Sequence, residues 1–120
     1  MVGIDLIENE RIDKSDKFLQ RIAHESEIHY ISKTSNECLR TQKIGALFCV
    51  KEAVMKALGL GEKSGVVFKD IELSHDESGK PTVTLYGVAK ERFEKDYKGK
   101  NIEVSISHTK TYSTAICVII

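Results

Sequence analysis

Four ionisable side chains stand in surroundings that do not account for them. Asp5 interrupts the apolar run VGIDLI, Glu52 and Lys56 lie in FCVKEAVMKALGLG, and His108 closes IEVSISH where the chain turns. Two carboxylates from different elements make a hard-oxygen site of the kind magnesium accepts, completed by water and substrate phosphates. A lysine beside them can neutralise phosphate charge or protonate a departing oxygen, and a histidine can hold a further phosphate. The chemistry implied is displacement at phosphorus, where positioning and charge neutralisation supply most of the catalysis. Neither a Gly-x-x-x-x-Gly-Lys-Ser/Thr loop nor a Gly-x-Gly-x-x-Gly turn occurs, which excludes nucleotide binding in those two manners. Each residue also has a plain alternative. Asp5 could cap a following helix, Glu52 and Lys56 could be an i,i+4 surface pair, and a strand-end histidine is often only structural. Spacing alone leaves these open.

The elements that must position them can be read from periodicity. Ala46, Cys49, Val50, Ala53, Val54, Ala57 and Leu58 recur at the spacing of one helical face. At the α-helical turn per residue, Glu52 and Lys56 lie nearly opposite Val50 and about 40° apart, on a stripe shared with Gly45 and Gly59 that has little cover of its own. Thr34 and Glu37 have capping-box spacing and predict a helix from there to Leu58, stopped by Gly59. VGIDLI reads as a strand. Phe18, Leu19 and Ile22 predict one short helix, and Ser26 to Lys33 another. VVFKDIELSH and PTVTLY, separated by Asp76-Glu77-Ser78-Gly79, predict a hairpin, with Pro81 at an edge or a strand start. Val88 to Tyr97 returns to helical spacing. IEVSISH and YSTAICVII form two last strands across Thr109-Lys110-Thr111. The expected class is α+β, with a mostly antiparallel sheet of about five strands packed with a long helix and shorter ones.

Composition agrees with one domain over residues 1–120, with 41% hydrophobic and 30% charged residues. Eighteen basic residues balance 18 acidic ones, so no bulk charge points to nucleic acid or a membrane surface. Without an apolar run of membrane-spanning length or a signal-like N-terminus, a cytoplasmic protein is expected. Cys38, Cys49 and Cys117 are expected to be reduced, packed thiols rather than a zinc or disulfide framework.

GIDLIENERI (3–12) and KEAVMKALG (51–59) resemble the opening and the Lys-Glu-Ala-x-x-Lys-Ala-x-Gly signature of the holo-acyl-carrier-protein synthases, the short-chain 4′-phosphopantetheinyl transferases. FLQRIAHESE (18–27), ESGKP (77–81) and SISHTKTYSTAICVI (105–119) extend the resemblance in order over nearly the whole chain. It implies the fold of that family and magnesium-dependent transfer of 4′-phosphopantetheine from coenzyme A to a serine of apo-acyl carrier protein. Adenosine 3′,5′-bisphosphate would be released, in the service of fatty acid biosynthesis. On matching positions, Asp5 and Glu52 would hold the metal, and Glu52 would help deprotonate the serine, directly or through a metal-bound water. Lys56 would stabilise or protonate the departing oxygen. His108 and Thr109 would contact the coenzyme A phosphates, Lys80 and Pro81 would line the nucleotide side, and Arg11 and Arg21 would face the acidic carrier protein. A homotrimer with active sites between subunits is implied as well. One departure stands out: Leu47 occupies the position of an arginine that binds coenzyme A phosphate in many relatives, and Arg40 or Lys43 would have to supply that charge. A module that binds coenzyme A or a carrier protein without turnover is the alternative.

Overall fold

The computed structural model describes residues 1–120. Strand β1 (Val2–Glu8) is followed by helices α1 (Asp16–Ile22), α2 (Glu25–Ser32) and α3 (Glu37–Leu58). The hairpin β2 (Ile71–His75) and β3 (Pro81–Leu85), helix α4 (Gly87–Asp96), and strands β4 (Ile102–His108) and β5 (Tyr112–Ile119) complete the chain. The α+β expectation with five strands holds, and every pairing is antiparallel. The strands divide into a three-stranded sheet ordered β1-β5-β4 and the separate hairpin β2-β3. Pro81 opens β3, where its missing N–H costs little.

Alternation along β1 turns Gly3, Asp5 and Ile7 to one face of the sheet and Val2, Ile4 and Leu6 to the other. Helix α3 lies across the first face. The approach is so close that a Cβ on Gly3 would stand 2.5 Å from the Ala57 nitrogen and would also run into the Ala53 carbonyl. All seven residues of the expected apolar face of α3 are buried, together with Ile44, Leu47 and Met55. One core forms between α3, α4 and the sheet, around Val50, Val54, Leu58, Ile71 and Cys117. A second gathers Leu19, Ile22, Ile31, Ile44 and Leu47 among α1, α2 and the first half of α3.

Several local expectations are corrected. The cap of α3 is Asn36, whose side chain accepts from the Leu39 N–H at 2.9 Å, while Thr34 accepts instead from Lys43 Nζ at 2.6 Å. Gly59 ends the helix as expected, at φ 69°. Phe68–Asp70 is a 3-10 turn rather than part of a strand, because Asp70 Oδ2 accepts from the Val67 N–H at 3.2 Å. Cys49 and Cys117 are buried thiols, and burial raises their pKa values to about 12 and about 11; Cys38 is exposed rather than packed. No helix is long and apolar enough to cross a membrane.

Candidate active site

Asp5 points from β1 into the seam with α3. Its Oδ1 lies 3.0 Å from Lys56 Nζ, which also donates to the Ile4 carbonyl at 3.0 Å. Asp5 therefore caps no helix, and Lys56 pairs with Asp5 rather than with Glu52. Glu52 is half-buried on the same seam. Partial burial first, and then the negative charge of Asp5, push its pKa above the ordinary value, against the opposing pull of Lys56. Strand β1 runs beside the stripe that carries Glu52 and Lys56, with Gly3 against Ala53 and Ala57. Gly3 lets the strand come close enough for Asp5 to reach both residues. Gly45, expected on a thinly covered surface, is in fact buried against Asn9 and Ser113.

His108 and Thr109 lie elsewhere in the chain. His108 pairs across β5 with Ser113, which pairs in turn with Ile7 of β1, two residues beyond Asp5. Two strand spacings of nearly 5 Å each put it about 10 Å sideways from that residue, and the two-residue step adds about 7 Å along the strand. The His108 ring is held by Gln42 of α3, with Nδ1 2.7 Å from Oε1.

A cavity of about 530 Å³ opens on the other side of α3, between α2, the hairpin and β4. Its walls include Tyr30, Lys43, Leu47, His75, Pro81 and Ser105. Lys43 has no carboxylate partner; its ammonium sits 4.4 Å over the Tyr30 ring, which stacks on His75 at 4.9 Å. Burial, and then the Lys43 charge, lower the His75 pKa. Leu47 is buried in the same wall. Arg40 is committed away from the cavity, to Asp16 at 3.4 Å and to the Lys14 carbonyl at 3.1 Å. Lys80 turns to Glu103 at 3.1 Å. Arg11 and Arg21 are exposed, the latter stacked 5.5 Å over Phe18.

One chain thus brings together Asp5, Glu52 and Lys56, and holds His108, Thr109, Lys80 and Pro81 apart from them. Sequence reasoning missed Asn9, Gln42, Ser113 and Lys51. Only structure discloses them, since each acts through partners distant in the chain. The model of the 4′-phosphopantetheinyl transferase superfamily matches residues 1–117. The chain belongs to that superfamily. Within the family, a holo-[acyl-carrier-protein] synthase of Thermoanaerobacter sp. (strain X514) is 42% identical, the match covering 99% of this chain and 86% of that protein. One from Staphylococcus aureus (strain JH9) is 35% identical, over 98% of this chain and 92% of the other. Two solved structures match with a TM-score of 0.80 each. They are the Helicobacter pylori holo-[acyl-carrier-protein] synthase in complex with coenzyme A (32% identical, 100% of both chains covered) and the Bacillus anthracis enzyme in complex with CoA (3′,5′-ADP) (34% identical, covering 98% and 93%). The family and fold expected from the sequence are those found.

Proposed function

We propose that this protein transfers 4′-phosphopantetheine from coenzyme A to a serine hydroxyl of an acyl carrier protein, releasing adenosine 3′,5′-bisphosphate. The observation that carries the reading is the meeting of Asp5, Glu52 and Lys56 in one seam, in a member of this family. The serine oxygen attacks the phosphorus that bears the pantetheine arm, and the bond from that phosphorus to the bridging pyrophosphate oxygen breaks. Glu52 takes the serine proton, directly or through a bound water. Lys56 meets the bridging oxygen as it departs and supplies a proton or compensating charge there. His108 and Thr109 contact coenzyme A phosphates, and Pro81 and Lys80 line the nucleotide side. Arg11 and Arg21 meet the acidic carrier, which steers encounter more than it adds affinity.

Asp5 and Glu52 fit a magnesium ion by their chemistry. Both are hard oxygen donors whose mutual repulsion a cation relieves. No cluster of three or more His, Cys, Asp or Glu side chains is gathered, so the remaining ligand positions fall to water and substrate phosphates, as magnesium prefers. When bound there, the ion supplies positive charge to the pyrophosphate.

The distance between His108 and Asp5 within one chain supports a site completed by a neighbouring subunit. The outer face of the sheet is open, with Val2, Ile4 and Leu6 60%, 61% and 65% exposed beside Tyr112 and Ile116. Apolar area of this kind marks an interface, and a homotrimer is the assembly proposed. The deciding experiment incubates the purified protein with coenzyme A, magnesium and apo-acyl carrier protein. A carrier heavier by one phosphopantetheine arm, with adenosine bisphosphate released, is expected. No mass gain on several carriers, one of them from the same organism, sinks the proposal. Light scattering at three times the chain mass is the accompanying expectation.

A further inference from the structure

The turn that carries His108 and Thr109 is held by a buried polar knot. Asn9, 1% exposed, lies just past the end of β1. Its Nδ2 donates to the carbonyls of Thr109 at 3.0 Å and Lys110 at 3.2 Å, and its backbone N–H donates to the Thr111 carbonyl at 2.8 Å. Asn9 Oδ1 accepts from the fully buried Ser113 Oγ at 2.7 Å. Every polar atom of the asparagine side chain is therefore in use. Thr109 closes the turn on itself, its Oγ1 accepting from the N–H groups of Thr111 and Tyr112 at 3.2 and 3.0 Å. Helix α3 reaches this knot at Gly45, where a Cβ would stand 2.6 Å from Asn9 Oδ1 and 2.8 Å from Ser113 Oγ. One turn earlier, the same helix presents Gln42 to the His108 ring.

We propose that Gln42 is a positioning residue for His108. It holds the imidazole by Nδ1 so that Nε2 is the nitrogen offered to a phosphate of coenzyme A. The proposal rests on the transferase reading above. The amide nitrogen of Gln42 is turned to Cys38 Sγ at 3.5 Å, which leaves the oxygen facing the ring. An amide oxygen only accepts, so the proton between them sits on Nδ1. Nε2 has no partner in the chain and lies on an exposed strand end. It bonds a phosphate oxygen when it carries a hydrogen, with the Nδ1–H held by the Gln42 oxygen throughout. The frame of Asn9, Ser113 and Gly45 fixes the strand end against α3, and Gln42 fixes the rotation of the ring upon it. Without Gln42 the ring would have to be ordered at each binding event, which costs affinity. The bonds that change lie at the other cluster, so the effect falls on binding rather than on the chemical step.

The test pairs long-range proton–nitrogen NMR of the His108 ring with steady-state kinetics on wild type, Gln42→Leu and Gln42→Glu. In wild type the neutral ring should carry its proton on Nδ1. Gln42→Leu should lose that single tautomer and raise KM for coenzyme A about tenfold, the scale of one hydrogen bond, with kcat little changed. Gln42→Glu, which restores an acceptor, should recover the tautomer and most of the affinity. A wild-type ring protonated on Nε2, or a Gln42→Leu variant with tautomer and KM unchanged, overturns the assignment. A wild-type protein that transfers nothing sinks the transferase reading instead, and the NMR arm still decides whether Gln42 sets the ring.

Discussion

Lys51 Nζ lies 3.0 Å from Glu27 Oε1, with side-chain exposures of 0% and 2%. The ammonium also donates to the carbonyls of Phe68 at 3.1 Å and Ile71 at 2.5 Å, so its three hydrogens are all used. Glu27 in turn accepts from the N–H groups of His24 at 2.8 Å and Leu73 at 2.7 Å. This one pair ties α2 and β2 to α3, at the residue next to Glu52. Burial holds the Lys51 pKa below the usual lysine range, and the Glu27 charge opposes that shift.

Removing one partner leaves the other as an uncompensated buried charge. Lys51→Met is expected to lose about 3–5 kcal/mol, a large share of a small domain's stability. The double variant Lys51→Met/Glu27→Leu should regain only part of that loss, because an apolar pair avoids desolvating two ions but leaves the His24 and Leu73 N–H groups and the Phe68 and Ile71 carbonyls without these partners. Urea unfolding of the two singles and the double measures it. A Lys51→Met protein as stable as wild type would mean that the pair does not hold these elements together.

Gly3 sets the distance between β1 and α3, and with it the reach of Asp5 to Glu52 and Lys56. Gly3→Ala places a methyl against the backbone of Ala53 and Ala57, which cannot retreat as a flexible side chain would. Overpacking of this sort costs about 1–3 kcal/mol. Because the strand must shift, transfer should fall by about a hundredfold, well beyond what the stability loss explains at a temperature where the variant stays folded. Circular dichroism beside the transfer assay separates the two effects. Activity within about twofold of wild type would show that the seam has slack.

Much of this was legible in the residues themselves. The 3.6-residue period gave away α3 and its buried face, and turn chemistry at Asp76–Gly79 gave away the hairpin, where Asp76 Oδ1 indeed accepts from the Ser78 and Lys80 N–H groups at 2.9 and 3.0 Å. Asp5, Glu52 and Lys56 stood out because a charge among apolar residues requires a partner. Lys51 did not stand out, since a lysine beside an apolar face normally reaches solvent and its carboxylate lies 24 residues away. Thr34 and Asn36 both have capping chemistry; the choice between them was made by Lys43, which engages Thr34. Gly45 read as bare surface because what covers it arrives from β5 and the end of β1, more than thirty residues distant in either direction.

Lys43 is the cation this chain places in the cavity wall near Leu47, whereas Arg40 is held by Asp16. If the nucleotide end of coenzyme A lies there, Lys43→Ala should weaken coenzyme A by about tenfold while leaving 3′-dephospho-coenzyme A nearly unaffected, because a charge-assisted contact is lost only where the 3′-phosphate exists. KM for both substrates on both proteins completes the cycle. Equal losses for the two substrates would place the 3′-phosphate away from Lys43.

Glu52 also makes a prediction about stability in the absence of metal. Its folded-state pKa is raised above the ordinary 4.5 by burial and by Asp5. The folded protein therefore holds this proton more tightly than the unfolded chain, and stability falls as pH rises through the folded pKa. With a chelator present at pH near 7, Glu52→Gln is expected to melt above wild type, and the gap should close as pH drops below about 4.5, where both states carry the proton. Added magnesium should raise the wild-type melting temperature and move that of Glu52→Gln much less, since the stabilisation rises with the logarithm of ligand concentration over Kd and one of two carboxylates is gone. Melting curves across pH, with chelator and with magnesium, read both effects without any substrate. A Glu52→Gln protein less stable than wild type at neutral pH under chelation would show that burial and Asp5 do not together disfavour the Glu52 charge. Equal magnesium shifts in the two proteins would take Glu52 out of the metal site.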